Sequence, residues 1–177
     1  MPAWYGPRSV DGGIDEIPLP LTGGPGRLFL CGKHAIAPDP IGALGRVGAN
    51  VVVCLTQPHE LLDRYPEYVV WLRDNSPERA IWRPIPDLHT LPERAMVTLI
   101  GELDTRLRHG ESLIVHCAAG IGRSGTVAVG LLLSMGEHLN TATRTVRANR
   151  PMAGPESGPQ RDLVVALAMH YGQARYE

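Results

Sequence analysis

The chain is expected to fold as an α/β domain: a mostly parallel central sheet flanked by helices on both faces. Three observations lead there. Four short apolar runs, "RLFLCG" (27–32), "VVVCLT" (51–56), "AIWRPIP" (80–86) and "SLIVHC" (112–117), are nearly continuous rather than alternating. Strands covered on both faces read that way. Longer segments with apolar residues three and four apart separate these runs and follow the last of them, as crossover helices do. With 177 residues, 44% of them hydrophobic and 20% charged, one core forms without disulfide staples.

Element by element, residues 1–26 are rich in Pro and Gly without periodicity and are expected to form an irregular N-terminal arm. Residues 27–177 are expected to form a single domain. "HELLDRYPEYVVWLRDN" (59–75) is helical in pattern, with Pro66 kinking or restarting it. "LPERAMVTLIGELDTRLRHG" (91–110) is the clearest helix, with Pro92 suiting its first turn and Gly110 its end. A helix over "RSGTVAVGLLLSM" follows the last strand. Two more, "TATRTVRANR" and "QRDLVVALAMHYGQAR", are divided by the turn-rich "PMAGPESGP".

A formal net charge of −1 gives no general pull toward nucleic acid or an anionic membrane. All 17 basic residues but Lys33 are arginine, a bias too broad to indicate phosphate binding alone. Three cysteines without a CxxC pair point to a reducing compartment. The N-terminus lacks a signal-peptide pattern, and the longest apolar stretch, "TVAVGLLLSMG", is too short to span a bilayer. The expectation is a cytoplasmic monomer.

The chemistry concentrates in "VHCAAGIGRSGT" (115–126). Strand, cysteine, glycine-rich turn, arginine, helix is a physical recipe for holding and attacking a phosphoryl group. In open α/β sheets ligands sit beyond the carboxyl ends of the strands, where this turn falls. Its backbone amides, from Ala118, Ala119, Gly120, Ile121 and Gly122 to Arg123, offer successive donors, and the positive end of the following helix favours both an anion and a thiolate. Gly120 and Gly122 let the backbone curl inward. Arg123 supplies a planar fork for two phosphoryl oxygens. Neither Cys31 nor Cys54 has an arginine six positions on. His116 is a tempting base for Cys117, but neighbours in a strand point to opposite faces, so it is expected to orient the loop from behind. Metal binding through His116 and Cys117 lacks further ligands at useful spacing, and no cofactor is expected.

"HCAAGIGRSGT" resembles the HCxxGxxR(S/T) signature of the cysteine-dependent protein tyrosine phosphatase superfamily. Domain length and the downstream segments are most similar to its dual-specificity branch. The resemblance implies that Cys117 attacks phosphorus, that Arg123 and the turn amides hold the phosphoryl group, and that the Ser124 hydroxyl helps the sulfur leave. The leaving oxygen needs a proton from a separate, movable segment. Asp87, in the proline-rich "RPIPDLHTLP" (83–92), stands where the family carries its general acid. In "VRANRPMAGPESGPQRDL", Gln160 matches a residue that positions the attacking water. Arg150, third in a series with Arg144 and Arg147, matches an arginine that lines the rim in some relatives; a solvated basic face is the competing reading. Cys54 is either core or a second thiol able to trap an oxidised Cys117.

The implied activity is hydrolysis of phosphotyrosine, with phosphoserine and phosphothreonine as further candidates, on a protein or peptide substrate. Phosphoinositides or RNA 5′-phosphates are the alternative substrates, and the neutral "AAGIG" argues against such highly charged groups. A pseudophosphatase that only binds phosphate is the reading from another class, and it predicts loss of a cysteine, arginine or acid that this chain retains.

Overall fold

The computed structural model describes residues 13–174; residues 1–12, including the Trp4 and Tyr5 of the expected arm, and 175–177 lie outside the description. The sheet has five strands: β1 (Asp15–Ile17), β2 (Leu28–Gly32), β3 (Val51–Cys54), β4 (Ala80–Trp82) and β5 (Leu113–Cys117). Their order is β1-β2-β5-β3-β4, with β5 central. All pairings are parallel except β1 with β2. Seven α-helices complete the described fold: α1 (Lys33–Ile36), α2 (Pro40–Val47), α3 (Pro66–Asp74), α4 (Glu93–Arg108), α5 (Gly122–Ser134), α6 (Leu139–Asn149) and α7 (Gly158–His170).

Strand alternation divides the core in two. Leu28, Leu30, Val51, Val53, Leu113, Val115 and Cys117 face α4, α5, α6 and α7. Phe29, Cys31, Val52, Cys54 and Ile114 face α1, α2 and α3. Both faces are dry, which is why these strands read as continuous apolar runs. Helix α5 is buried along nearly its whole length, as a helix apolar on every side beyond its first turn must be. It carries the residues after Cys117 straight into the core.

The structure departs from the sequence pattern in three places. The arm expected to be irregular contains β1, whose three residues are too few to show alternation and which exists because the edge of β2 is open to pair. Helices α1 and α2 were not anticipated, although Asp39 caps α2 by accepting from the Gly42 amide at 2.9 Å, Pro40 opens it and Gly48 ends it at φ 67, the usual punctuation. The helix expected over 59–75 is broken: a 3-10 turn spans Pro58–Glu60 and α3 begins at Pro66. Pro66 has no amide to give to a continuing helix, so it restarts one.

Candidate active site

Residues 118–121 form a loop between β5 and α5 whose carbonyls are anchored away from its concave side. Lys33 N donates to Ala118 O at 3.0 Å. Arg150 donates from Nη2 to Ala119 O at 3.1 Å and from Nε to Gly120 O at 2.6 Å. Gly125 and Gly154 amides both donate to Ile121 O. With the carbonyls held outward, the alternate groups, the amides, face the concavity; this is the geometry of an anion nest. Gly120 stands at φ 72, and a Cβ there would collide with the Cys31 carbonyl, so glycine is required twice over. Gly122, expected to serve the curl as well, opens α5 without a left-handed backbone; its missing side chain instead makes room for the Glu156 carboxylate.

Cys117 ends β5 at the floor of this loop, nearly buried, with its Sγ 3.4 Å from Ser124 Oγ. His116 points to the other face, as strand alternation requires. It is fully buried, its Nδ1 donates to Cys117 O at 3.2 Å, and the Tyr68 hydroxyl donates to its Nε2 at 2.7 Å. A carbonyl can only accept, so Nδ1 carries a proton, and Nε2 is left to accept from Tyr68 in the neutral ring. Burial pushes its pKa down to about 4, outweighing the Cys117 carbonyl, which favours the imidazolium.

That value carries a pH prediction. An unfolded histidine takes up a proton near 6.5, while native His116 refuses it until about 4. Its contribution to stability is therefore present above pH 6.5 and lost as pH falls toward 4, on the order of 3 kcal/mol in all. Chemical unfolding of wild type and His116→Gln across this range is expected to show the gap between them narrowing by most of that amount. Parallel curves would remove the assignment.

Arg123 lies under the loop with its side chain 1% exposed. Its Nη1 and Nη2 donate to the two carboxylate oxygens of Glu60, each at 2.8 Å, and Nη1 also donates to Ile85 O at 2.8 Å. Glu60 further accepts from the Gln57 amide at 2.8 Å. Burial alone would raise the Glu60 pKa, but the Arg123 and Gln57 hydrogen bonds hold it below the usual carboxylate value. The end-on edge of the guanidinium is thus occupied by Glu60. The other edge, Nε–H and the second Nη2–H, has no hydrogen-bond partner among the described residues and has the two-donor geometry that suits two oxygens of one anion. Asp87 Oδ1 lies 3.5 Å from Nη2.

Asp87 sits in the loop after β4 with its side chain 72% exposed. The following Leu88 has φ 61, a left-handed conformation that costs a non-glycine residue about 1–2 kcal/mol. Two contacts from the start of α7 hold that strain: Ser157 donates from Oγ to Leu88 O at 2.6 Å, and Gln160 donates from Nε2 to His89 O at 3.3 Å. Gln160 is buried, not solvated. Its Oε1 also accepts the Glu156 and Ser157 amides at 2.8 and 3.4 Å, so one side chain ties the acid loop to the segment over Gly122.

Cys117, Arg123, Ser124 and Asp87 therefore converge, although Asp87 lies 30 positions before Cys117. Arg150 is neither a rim residue nor part of a solvated face. It is buried, pairs with Asp15 at 2.7 Å, and holds the loop carbonyls. Cys54 is in register with His116 and faces α3, on the opposite side of the sheet from Cys117. A disulfide between them would require a strand to turn over, and burial pushes the Cys54 thiol up to about 12. Glu60, Tyr68 and Ser157 were not singled out in the sequence. "QPHE" (57–60) does carry the proline and glutamate of a capping box, but nothing local announces that Glu60 meets a guanidinium 63 residues away. No group of three or more His, Cys, Asp or Glu among the described residues is gathered as metal ligands are.

Comparison with known proteins agrees with this geometry. The family described as Swiss Army Knife protein, DSP-PTPase phosphatase domain, matches residues 25–160. Human dual specificity protein phosphatase 22 is 43% identical over 61 residues, 34% of this chain and 33% of that protein. Dual specificity protein phosphatase 1 of Arabidopsis thaliana is 39% identical over 62 residues, 34% and 31% of the two chains. The matched stretch thus spans about a third of the length of these curated relatives. Among solved structures, Tk-PTP in its active form superposes with TM-score 0.61 at 25% identity, over 84% of this chain and 95% of that one. The kinase associated phosphatase, with its catalytic cysteine replaced by serine, gives TM-score 0.74 at 20% identity over 90% and 95%; at that identity it speaks for the fold alone.

Proposed function

Because the chain belongs to the dual-specificity-like branch of the cysteine-dependent protein tyrosine phosphatase superfamily, we propose that it hydrolyses phosphomonoesters on proteins, phosphotyrosine foremost, through a cysteinyl phosphate. The observation that carries this reading is the convergence of the Cys117 sulfur, a loop of inward amides and the one uncommitted edge of Arg123, with Asp87 beside that edge.

In the first step the Cys117 thiolate attacks phosphorus and the bond to the leaving oxygen breaks as Asp87 gives that oxygen its proton. Loop amides and the Nε/Nη2 edge of Arg123 bind the three equatorial oxygens as their charge redistributes. In the second step water attacks the cysteinyl phosphate and gives its proton to Asp87, and the sulfur–phosphorus bond breaks. Ser124 donates a hydrogen bond to the departing sulfur. Gln160, with one Nε2 proton left uncommitted among the described residues, orients that water. His116 keeps the Cys117 carbonyl, at the entrance to the loop, in place from the opposite face.

A neutral loop rim, Ala118 and Ala119, supports a singly phosphorylated side chain over a polyanion such as an inositol phosphate. Turnover of p-nitrophenyl phosphate in EDTA and reductant tests the reaction class, and a panel of phosphopeptides against inositol phosphates and RNA 5′-phosphates tests the substrate. Asp87→Asn is expected to lower kcat on phosphopeptides by about 10²–10⁴. The loss should shrink with p-nitrophenyl phosphate, whose leaving group departs without a proton; an equal loss on both substrates would point to damaged loop structure and remove the acid role.

A further inference from the structure

Six arginines of the described structure lie against carboxylates: Arg27 with Glu16, Arg83 with Glu102, Arg106 with Glu111, Arg108 with Asp104, Arg123 with Glu60 and Arg150 with Asp15. The other described arginines have no such partner among the described residues, and in one place three of them gather. Between α6 and α7 runs an open groove of about 550 Å³, lined by Arg144, Arg147 and Arg161 around Leu139, Val164 and Val165. Arg144 and Arg147 sit one turn apart on α6, exposed, with neither an ion pair nor a hydrogen bond to any described residue. Arg161 reaches in from α7 and donates only to a backbone carbonyl, Glu156 O, at 3.0 Å. Three like charges converging without a carboxylate raise the local potential, although the chain as a whole carries only −1, and such a cleft draws in anions.

On both helices the groove borders residues that touch the segment packed against the active-site loop. On the α7 side Arg161 holds Glu156, whose carboxylate lies over Gly122. On the α6 side Arg147 flanks Gly154, whose amide donates to Ile121 O at 3.1 Å. The groove thus lies beside the segment 154–156 that packs against the active-site loop. The floor is apolar, with Val165 half-exposed, so the occupant pairs carboxylates with at least one apolar side chain.

We propose that the groove between α6 and α7 binds an acidic segment flanking the phosphorylated residue of a protein substrate. This rests on the protein-phosphatase reading above, and its test is arranged to fail separately. Two phosphopeptides are compared on the full chain, identical except that the flanking segment carries Asp and Glu in one and Asn and Gln in the other. Wild type is expected to favour the acidic peptide about tenfold in kcat/KM, mostly through KM, as three partly exposed charge pairs allow. The preference should fade as salt shortens the screening length. Arg144→Glu with Arg147→Glu should abolish the preference and leave p-nitrophenyl phosphate hydrolysis at its wild-type rate.

No preference in wild type, or the same preference in the charge-reversed protein, overturns the proposal. Should p-nitrophenyl phosphate not be hydrolysed at all, the phosphatase reading fails first. Fluorescence anisotropy of the unphosphorylated acidic peptide then still reads the groove, with binding in wild type and none in the variant supporting it. Sedimentation with phosphatidylserine vesicles that depends on Arg144 and Arg147, without any peptide preference, replaces the peptide with a membrane and overturns the proposal as stated.

Discussion

Cys117→Ser is expected to remove turnover of every phosphomonoester, on the order of 10⁴–10⁶-fold, the scale on which a nucleophile acting within a unit fails. The reason lies in what the loop does and does not contribute. Its amides and Arg123 hold the phosphoryl group whether sulfur or oxygen sits below it, so binding should survive. The alcohol keeps its proton at neutral pH, and the adjacent imidazole cannot take it: His116 faces the other side of the sheet with Nδ1 donating to Cys117 O. Ser124 lies within 3.4 Å of the sulfur but cannot replace it, being an alcohol as well. Single-turnover assays with a phosphotyrosine peptide, beside direct titration of the same peptide, measure both halves. Residual turnover above about one part in 10² would refute the nucleophile assignment, and loss of binding would show that the cysteine shapes the loop.

Arg123→Lys is expected to lower kcat/KM by about 10³-fold or more, comparable to removing an arginine that stabilises phosphoryl-transfer charge. The charge is retained, so the loss reports geometry. A lysine has one nitrogen to share among Glu60, Ile85 O and the substrate, whereas the guanidinium serves the first two with one edge and the anion with another. Truncation to alanine is ambiguous on its own, because it leaves the Glu60 carboxylate, 14% exposed, without its partner. Arg123→Ala combined with Glu60→Ala separates the effects: thermal stability should recover relative to Arg123→Ala alone, while kcat/KM stays as low. Recovery of activity in the double variant would mean that Arg123 serves only to neutralise Glu60.

The site was legible in the sequence where chemistry is local. Cys117, Gly120, Arg123 and Ser124 fall within eight residues at a strand-to-helix turn, and a loop of this size folds much the same way wherever the flanking apolar runs are buried. Asp87 could be read because a proline-rich loop after a strand end is itself a local pattern. Buried strands were legible for a related reason: a parallel sheet covered on both faces leaves no solvent side, so its sequence loses alternation. What stayed hidden was everything that depends on a partner far along the chain. Arg150 has the same local signature as Arg144 and Arg147, yet it is buried against loop carbonyls while they line an open groove, because the chain leaves α6 just before it. Glu60, which no local pattern singles out, is the carboxylate that holds Arg123. Cys54, readable as core or as a second thiol, is core, because the register puts it opposite His116.

The sequence by itself determined the sheet class, the cysteine at a strand end and the glycine turn that leads into a helix, since these follow from hydrophobic pattern and glycine within one segment. Only the tertiary structure decided which edge of Arg123 is open, how the strained Asp87 loop is held by Ser157 and Gln160, and which arginines are taken. Those outcomes depend on hydrogen bonds closed across long loops, and a hydrogen bond's direction is set by where the packed elements place its two ends.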